Sequence, residues 1–134
     1  MKKVQLEKSD EEWKELLSPD QFKILRLKRT EPPGTGKFLY NKEEGVYVCG
    51  ACRAPLFKSN AKFDSGCGWP SFFEPISEDA IIEQKDTSHG MLRIETICAK
   101  CGGHLGHIFK DGPKDKTGLR YCINSLSLDF NEEN

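Results

Sequence analysis

Two hydrophobic periods divide this chain. Near the start, Ser9-Asp10-Glu11-Glu12 has the form of a capping box, and Trp13, Leu16 and Leu17 follow it at helical spacing. Ser18-Pro19-Asp20-Gln21 restarts a helix, with serine as N-cap and proline at the first helical position, so that Phe22 and Leu25 face a core. This helical segment, about residues 9–28, is expected to pack rather than react. Residues 30–37 hold two prolines and two glycines and read as a loop. Beyond them the period shortens. Residues 45–49, 80–84, 91–98, 104–109 and 118–126 have the β-branched, aromatic and alternating character of strands. Residues 85–90 read as a long hairpin loop and residues 111–118 as a turn-rich connection. No helical crossover separates the strands, so the pattern predicts a mainly β, antiparallel fold with short N-terminal helices. The length, 134 residues, fits a single domain over 1–134.

On the last strand, side chains alternate faces, so Arg120, Cys122 and Asn124 point one way and Tyr121, Ile123 and Ser125 the other. A guanidinium beside a thiol favours the nucleophilic thiolate. The plain alternative is a small buried hydrophobe, the fate of many free cysteines.

Composition narrows the function. Lysine and arginine total 20 against 21 aspartates and glutamates, and the pI is about 6.3. That balance leaves no basic surface for nucleic acid or anionic membrane. No apolar run reaches membrane-spanning length, and the opening stretch Met1 to Glu7 becomes charged too early for a signal peptide. A cytoplasmic protein is expected. Six cysteines in a reducing compartment then point to metal binding or catalysis.

Their spacing separates four from two. Cys49-Gly50-Ala51-Cys52 and Cys98-Ala99-Lys100-Cys101 each lie at the end of a predicted strand and are followed by Arg53-Ala54-Pro55 or Gly102-Gly103. Two such turns suit a tetrahedral structural zinc site of Cys49, Cys52, Cys98 and Cys101, one ion per chain. A thioredoxin-type redox motif is the alternative, but it requires a helix where Pro55 and the glycine pair stand. Cys67 lies between Gly66 and Gly68, which would let a thiol travel to meet another; a loop cysteine that merely fits is the alternative. Trp69 and Phe72 suggest an aromatic wall, or else core packing. His104 and His107 are three apart, facing opposite ways on a regular strand. One of them could exchange protons beside Cys122, oriented by Asp111, or be a satisfied core histidine.

The blocks KFDSGCGWPSF from Lys62, DTSHGMLRIE from Asp86, GGHLGHIFKDGP from Gly102 and GLRYCINS from Gly118 resemble the methionine-R-sulfoxide reductases, in the form that carries the zinc cysteines. With Asn41-Lys42-Glu43-Glu44-Gly45-Val46-Tyr47 they extend the likeness from the first helix to about Phe130. The resemblance implies two antiparallel sheets, tent-like or barrel-like, pinned by zinc away from the chemistry. It implies an oxidoreductase of oxidative-stress repair that returns methionine-R-sulfoxide in peptides and proteins to methionine. Cys122 would attack the sulfoxide and become a sulfenic acid, and Cys67 would resolve it as a Cys67–Cys122 disulfide. Thioredoxin or a similar dithiol would reduce that disulfide. His107, with Asp111, would supply the proton, with His104 nearby; Arg120 would favour the thiolate and Asn124 orient the network. Trp69, with Phe72 alongside, would hold the substrate. A monomer is expected. The rival reading is a non-catalytic zinc-bearing tent module for binding or chaperoning, which would need the four metal cysteines only.

Overall fold

The computed structural model describes residues 8–132; the stretch Met1 to Glu7, read above for the absence of a signal peptide, lies outside the described residues. Helices α1 (Asp10–Leu16) and α2 (Pro19–Leu25) come first, and both are closed by reciprocal capping boxes. Ser9 Oγ accepts from the Glu12 N–H at 3.2 Å, and Ser18 Oγ accepts from the Gln21 N–H at 3.1 Å. Trp13, Leu17, Phe22 and Leu25 are buried as expected, but Leu16 is 64% exposed. None of the described helices is long and apolar enough to cross a membrane.

Nine strands follow among the described residues: β1 (Gly45–Cys49), β2 (Pro55–Lys58), β3 (Lys62–Phe63), β4 (Ser71–Phe72), β5 (Ile81–Asp86), β6 (Arg93–Cys98), β7 (His104–Phe109), β8 (Arg120–Ile123) and β9 (Leu128–Glu132). They form two antiparallel sheets, a three-stranded β2-β1-β9 and a six-stranded β3-β4-β8-β7-β6-β5. The mainly β, two-sheet architecture is the one anticipated. The pattern had no signal for β2, for β9, where Leu128 alone is buried, or for the very short β3 and β4. Strand β8 is also shorter than the hydrophobicity of residues 118–126 suggests. It stops at Ile123 and gives way to a 3-10 turn, Ser125–Ser127.

Aromatic rings fill the space between the sheets. Phe57 of β2 stacks on Phe72 of β4 with centroids 4.3 Å apart, and Tyr47 of β1 meets Phe72 edge-on at 5.2 Å. Tyr121 of β8 reaches Phe57 at 5.9 Å. Such pairs add directional preference to the hydrophobic gain of burial. Strand β8 therefore has two different faces. Tyr121 and Ile123 are buried toward the rings, while Arg120 and Cys122 remain partly exposed on the other side.

Candidate active site

The outer face of the large sheet gathers polar side chains from four neighbouring strands. Direct pairing places His107 opposite Cys122 and Phe109 opposite Arg120 on β7 and β8. Glu95 lies opposite His107, and Asp86 opposite Arg93, on β5 to β7. An open pocket of about 200 Å³ lies there, lined by Cys67, Trp69, Arg93, His107, Cys122 and Asn124 among others. Gly106 forms part of its floor. A Cβ at that position would sit 1.9 Å from the Cys122 carbonyl oxygen, so only glycine lets β7 approach β8 this closely.

The histidines depart from the regular alternation. The β6–β7 register shifts between Thr96 and Ile97, pairing Thr96 with Gly106 but Ile97 with His104. Leu105 is thus an extra residue, a β-bulge, and it turns His104 to the same side as His107. The rings lie 5.5 Å apart, edge to face. His104 is 3% exposed, and its Nδ1 is 2.6 Å from Glu95 Oε2. Burial works to raise Glu95, but bonds from His104 and Gln84 outweigh it and hold the carboxyl at about 2. Asp86 Oδ2 is 2.7 Å from His107 Nε2. Burial lowers His107, with Asp86 opposing that effect. Bonds from Ser88 and His107 hold Asp86 far below the usual carboxylate range.

Asp111 does not orient His107. It pairs with Arg120, accepting from Nε at 2.8 Å and from Nη2 at 3.1 Å, because the connection after β7 folds back over β8. Arg120 also lies over the Phe109 ring, 4.3 Å from its centroid. Phe72 is displaced from the anticipated substrate wall as well. In β4, Ser71 pairs with Cys122 and shares its face, so Phe72 must point inward, where it is fully buried. Trp69 does line the pocket, with its indole N–H donating 2.9 Å to the Glu31 carbonyl. Asn124 lies just past β8 and is held at both ends. Its Nδ2 donates to the Leu105 carbonyl at 3.0 Å, and its Oδ1 accepts from the Glu31 N–H at 3.0 Å.

Cys67 needs no journey. Its Sγ is 3.5 Å from Cys122 Sγ, and its flanking glycines serve conformation instead, with φ of 73° at Gly66 and 97° at Gly68. Two thiols at this distance cannot both ionise freely. Burial works to raise Cys67, but bonds from Ser65, Ser71 and Cys122 prevail and leave it at about 7. Burial pushes Cys122 up to about 12, the charge of Cys67 adds to that, and Arg120 opposes both without prevailing. Burial and the neighbouring sulfur thus work against a thiolate at Cys122 more strongly than Arg120 works for it, contrary to the expectation from Arg120 alone.

The four remaining cysteines converge where β1 and β6 end. Their sulfurs all lie within 4.8 Å of one another, with Cys49 and Cys101 3.7 Å apart and Cys52 and Cys98 3.6 Å apart. Metal–sulfur bonds of about 2.3 Å in a tetrahedron require sulfur–sulfur edges of about 3.8 Å, so the cluster could hold a metal ion. Matching turns present each pair. The Arg53 N–H donates to the Cys49 carbonyl at 2.9 Å, and the Gly102 N–H to the Cys98 carbonyl at 2.8 Å. Arg53 and Gly102, each just after its pair, both have left-handed φ, 70° and 77°. Contact with Cys101 pushes the Cys49 thiol well up, a repulsion that a bound cation would relieve.

Asp86, Arg93, Glu95 and Glu31 were not singled out from the sequence. The first three sit at alternating positions of paired strands, and the opposed charges of Asp86 and Arg93 across one hairpin are a readable signal. Glu31, in a loop, offers none.

The chain matches the SelR domain family over residues 17–132. It is 59% identical over 125 residues to the peptide methionine sulfoxide reductase MsrB of Pseudomonas fluorescens, covering 93% of this chain and 95% of that protein. Proteins of the same name from Leptospira interrogans and Methanosarcina barkeri are each 56% identical. They cover 96% of this chain, and 98% and 89% of the respective relatives.

The thiol pair sets a labelling order. Alkylation should reach Cys67 first, with an inflection near pH 7, while Cys122 resists. In Cys67→Ser the inflection for Cys122 should move to lower pH, since the neighbouring sulfur is gone and Arg120 remains. Mass spectrometry of iodoacetamide adducts across pH reads both; an unmoved Cys122 inflection would refute the coupling.

Proposed function

The chain belongs to the SelR family of MsrB-type peptide methionine sulfoxide reductases, and is therefore a peptide-methionine (R)-sulfoxide reductase, an oxidoreductase; we propose that it works through its Cys67–Cys122 pair. The observation that carries this reading is the 3.5 Å separation of the two sulfurs at the floor of the pocket. Cys122 attacks the sulfoxide sulfur and releases methionine, becoming a sulfenic acid. Cys67 then attacks that acid, forming a disulfide and expelling water. Thioredoxin or a similar dithiol restores both thiols by exchange. A purely binding module would have no use for this pair.

The remaining residues take roles their positions suit. Sulfoxide oxygen departs only as it is protonated, and His107, paired across the strands with Cys122, is the donor. Asp86, not Asp111, holds its ring and raises its proton affinity. His104 and Glu95 support that ring from behind. Arg120 stabilises charge as it forms on Cys122, and Asp111 fixes Arg120 in place. Trp69 receives the substrate methyl group, and Asn124 closes the pocket beside it. An apolar wall on one side and proton donors on the other give the two sulfoxide epimers different fits. Zn²⁺ bound by Cys49, Cys52, Cys98 and Cys101 joins the two sheets as a structural ion. We place the protein in the cytoplasm, as one monomeric domain acting on oxidised proteins.

Turnover of separated R and S epimers of a peptide methionine sulfoxide, with a dithiol reductant, tests the reading. Only the R epimer should be reduced, and Cys122→Ser should abolish it; persistent turnover in that variant would assign the nucleophile elsewhere. For the proton donor, single-turnover rates should fall as pH rises through the His107 pKa. Asp86→Asn removes the interaction that raises this pKa, so its profile should move to lower pH and its rate at pH 7 drop about tenfold, within the range of acid catalysis. A profile that moves in Asp111→Asn instead would reverse the assignment. For the metal, purified protein should contain zinc at one ion per chain. Cys98→Ser should lose it together with about 10 kcal/mol of stability, the scale of structural zinc ligation. A folded, metal-free Cys98→Ser protein would reject the structural role.

A further inference from the structure

Behind the pocket lies a carboxyl group that the chemistry above leaves unused. Glu31 is 2% exposed and sits in the segment joining α2 to β1. Its Oε1 accepts 2.9 Å from the Leu126 N–H, in the turn that follows the nucleophile strand. Its Oε2 is buried without a hydrogen-bond partner and lies against Gly36, where an added Cβ would be 2.4 Å from it and 2.1 Å from Ser125 Oγ. A buried carboxyl group with one oxygen unmatched is destabilising by itself. Burial accordingly pushes its pKa up.

The backbone of the same residue reaches the pocket twice. Its N–H donates to Asn124 Oδ1 at 3.0 Å, and its carbonyl accepts from Trp69 Nε1 at 2.9 Å. Trp69 precedes β4 and Asn124 follows β8, so two pocket-lining side chains from distant parts of the chain are fastened to one residue. Pro32 follows Glu31 and biases it toward an extended backbone, which spreads these two bonds in different directions. A nearby bond, from the Gly34 N–H to the Gly68 carbonyl at 2.8 Å, docks the same segment on the Cys67 loop.

We propose that Glu31 is a positioning residue: its carboxyl group, fixed to the Leu126 amide, holds the backbone on which the Trp69 indole and the Asn124 amide are both set, and so determines substrate fit without touching substrate. This rests on the reading of Trp69 as the wall for the sulfoxide methyl group.

The test is steady-state kinetics on a peptide R-sulfoxide with Glu31→Ala, Glu31→Gln, Trp69→Ala and the Glu31→Ala/Trp69→Ala double variant. Glu31→Ala should raise KM about tenfold, the scale of one lost hydrogen bond, with little change in kcat. Glu31→Gln keeps an acceptor for the Leu126 N–H and should recover most of that loss. Where Trp69 is already truncated, Glu31→Ala should raise KM little further. Should Glu31→Ala fail to fold, Gly36→Ala displaces the carboxyl group from the other side and should reproduce the KM effect. Equal KM increments in both Trp69 backgrounds, or a glutamine variant as impaired as alanine, would overturn the proposal. Trp69→Ala with unchanged KM would overturn the reading of Trp69 instead. Trp69→Ala with raised KM alongside Glu31→Ala and Gly36→Ala variants at wild-type KM would overturn the role of Glu31 alone.

Discussion

The structure depends first on where β8 is paired. As an interior strand of the large sheet it has β4 on one side and β7 on the other, so Cys122 lies opposite Ser71 and opposite His107. Its alternation sends Tyr121 and Ile123 into the aromatic core and leaves Arg120 and Cys122 on the pocket side. A one-residue slip would exchange those faces, burying the cation and exposing the core. The rings of Phe57, Phe72 and Tyr121 resist such a slip, and the packing between sheets thereby holds the register of the chemistry.

The outer face illustrates how burial and pairing compete. Glu95 is nearly as buried as Glu31, but it ends ionised because His104, Gln84 and Lys28 meet its carboxylate. Glu31, whose neighbouring donors from Leu126 and Ser125 carry no charge, is shifted the other way. The sulfur pair follows the same rule. Cys67 finds hydroxyl partners and gives up its proton readily, whereas Cys122 is more deeply buried and keeps its own.

The cysteine cluster works on a different length scale. It joins the β1–β2 turn of the small sheet to the β6–β7 turn of the large one, a link that the aromatic core supplements. Arg93 and Cys98 occupy opposite ends of β6, roughly 16 Å apart at the rise of a strand, so the pocket and the cluster are separated by the length of one strand. The framework can therefore be tied tightly at one end while the other end stays open to substrate.

Much of this was legible in the linear pattern because its causes are local. The capping boxes at Ser9 and Ser18 follow from side chains three residues apart, the doubled CxxC from two tight turns, and the common face of Arg120 and Cys122 from strand periodicity. What tertiary structure alone decided is equally specific. The Leu105 bulge brought His104 round to join His107, and β5 running on to Asp86 supplied the partner assigned in advance to Asp111. The pairing of Ser71 with Cys122 sent Phe72 inward, and a loop carrying Glu31 closed over two pocket side chains. Each of these depends on which residue of a distant segment lies opposite, a register set by packing and hydrogen bonding between segments that no local spacing encodes.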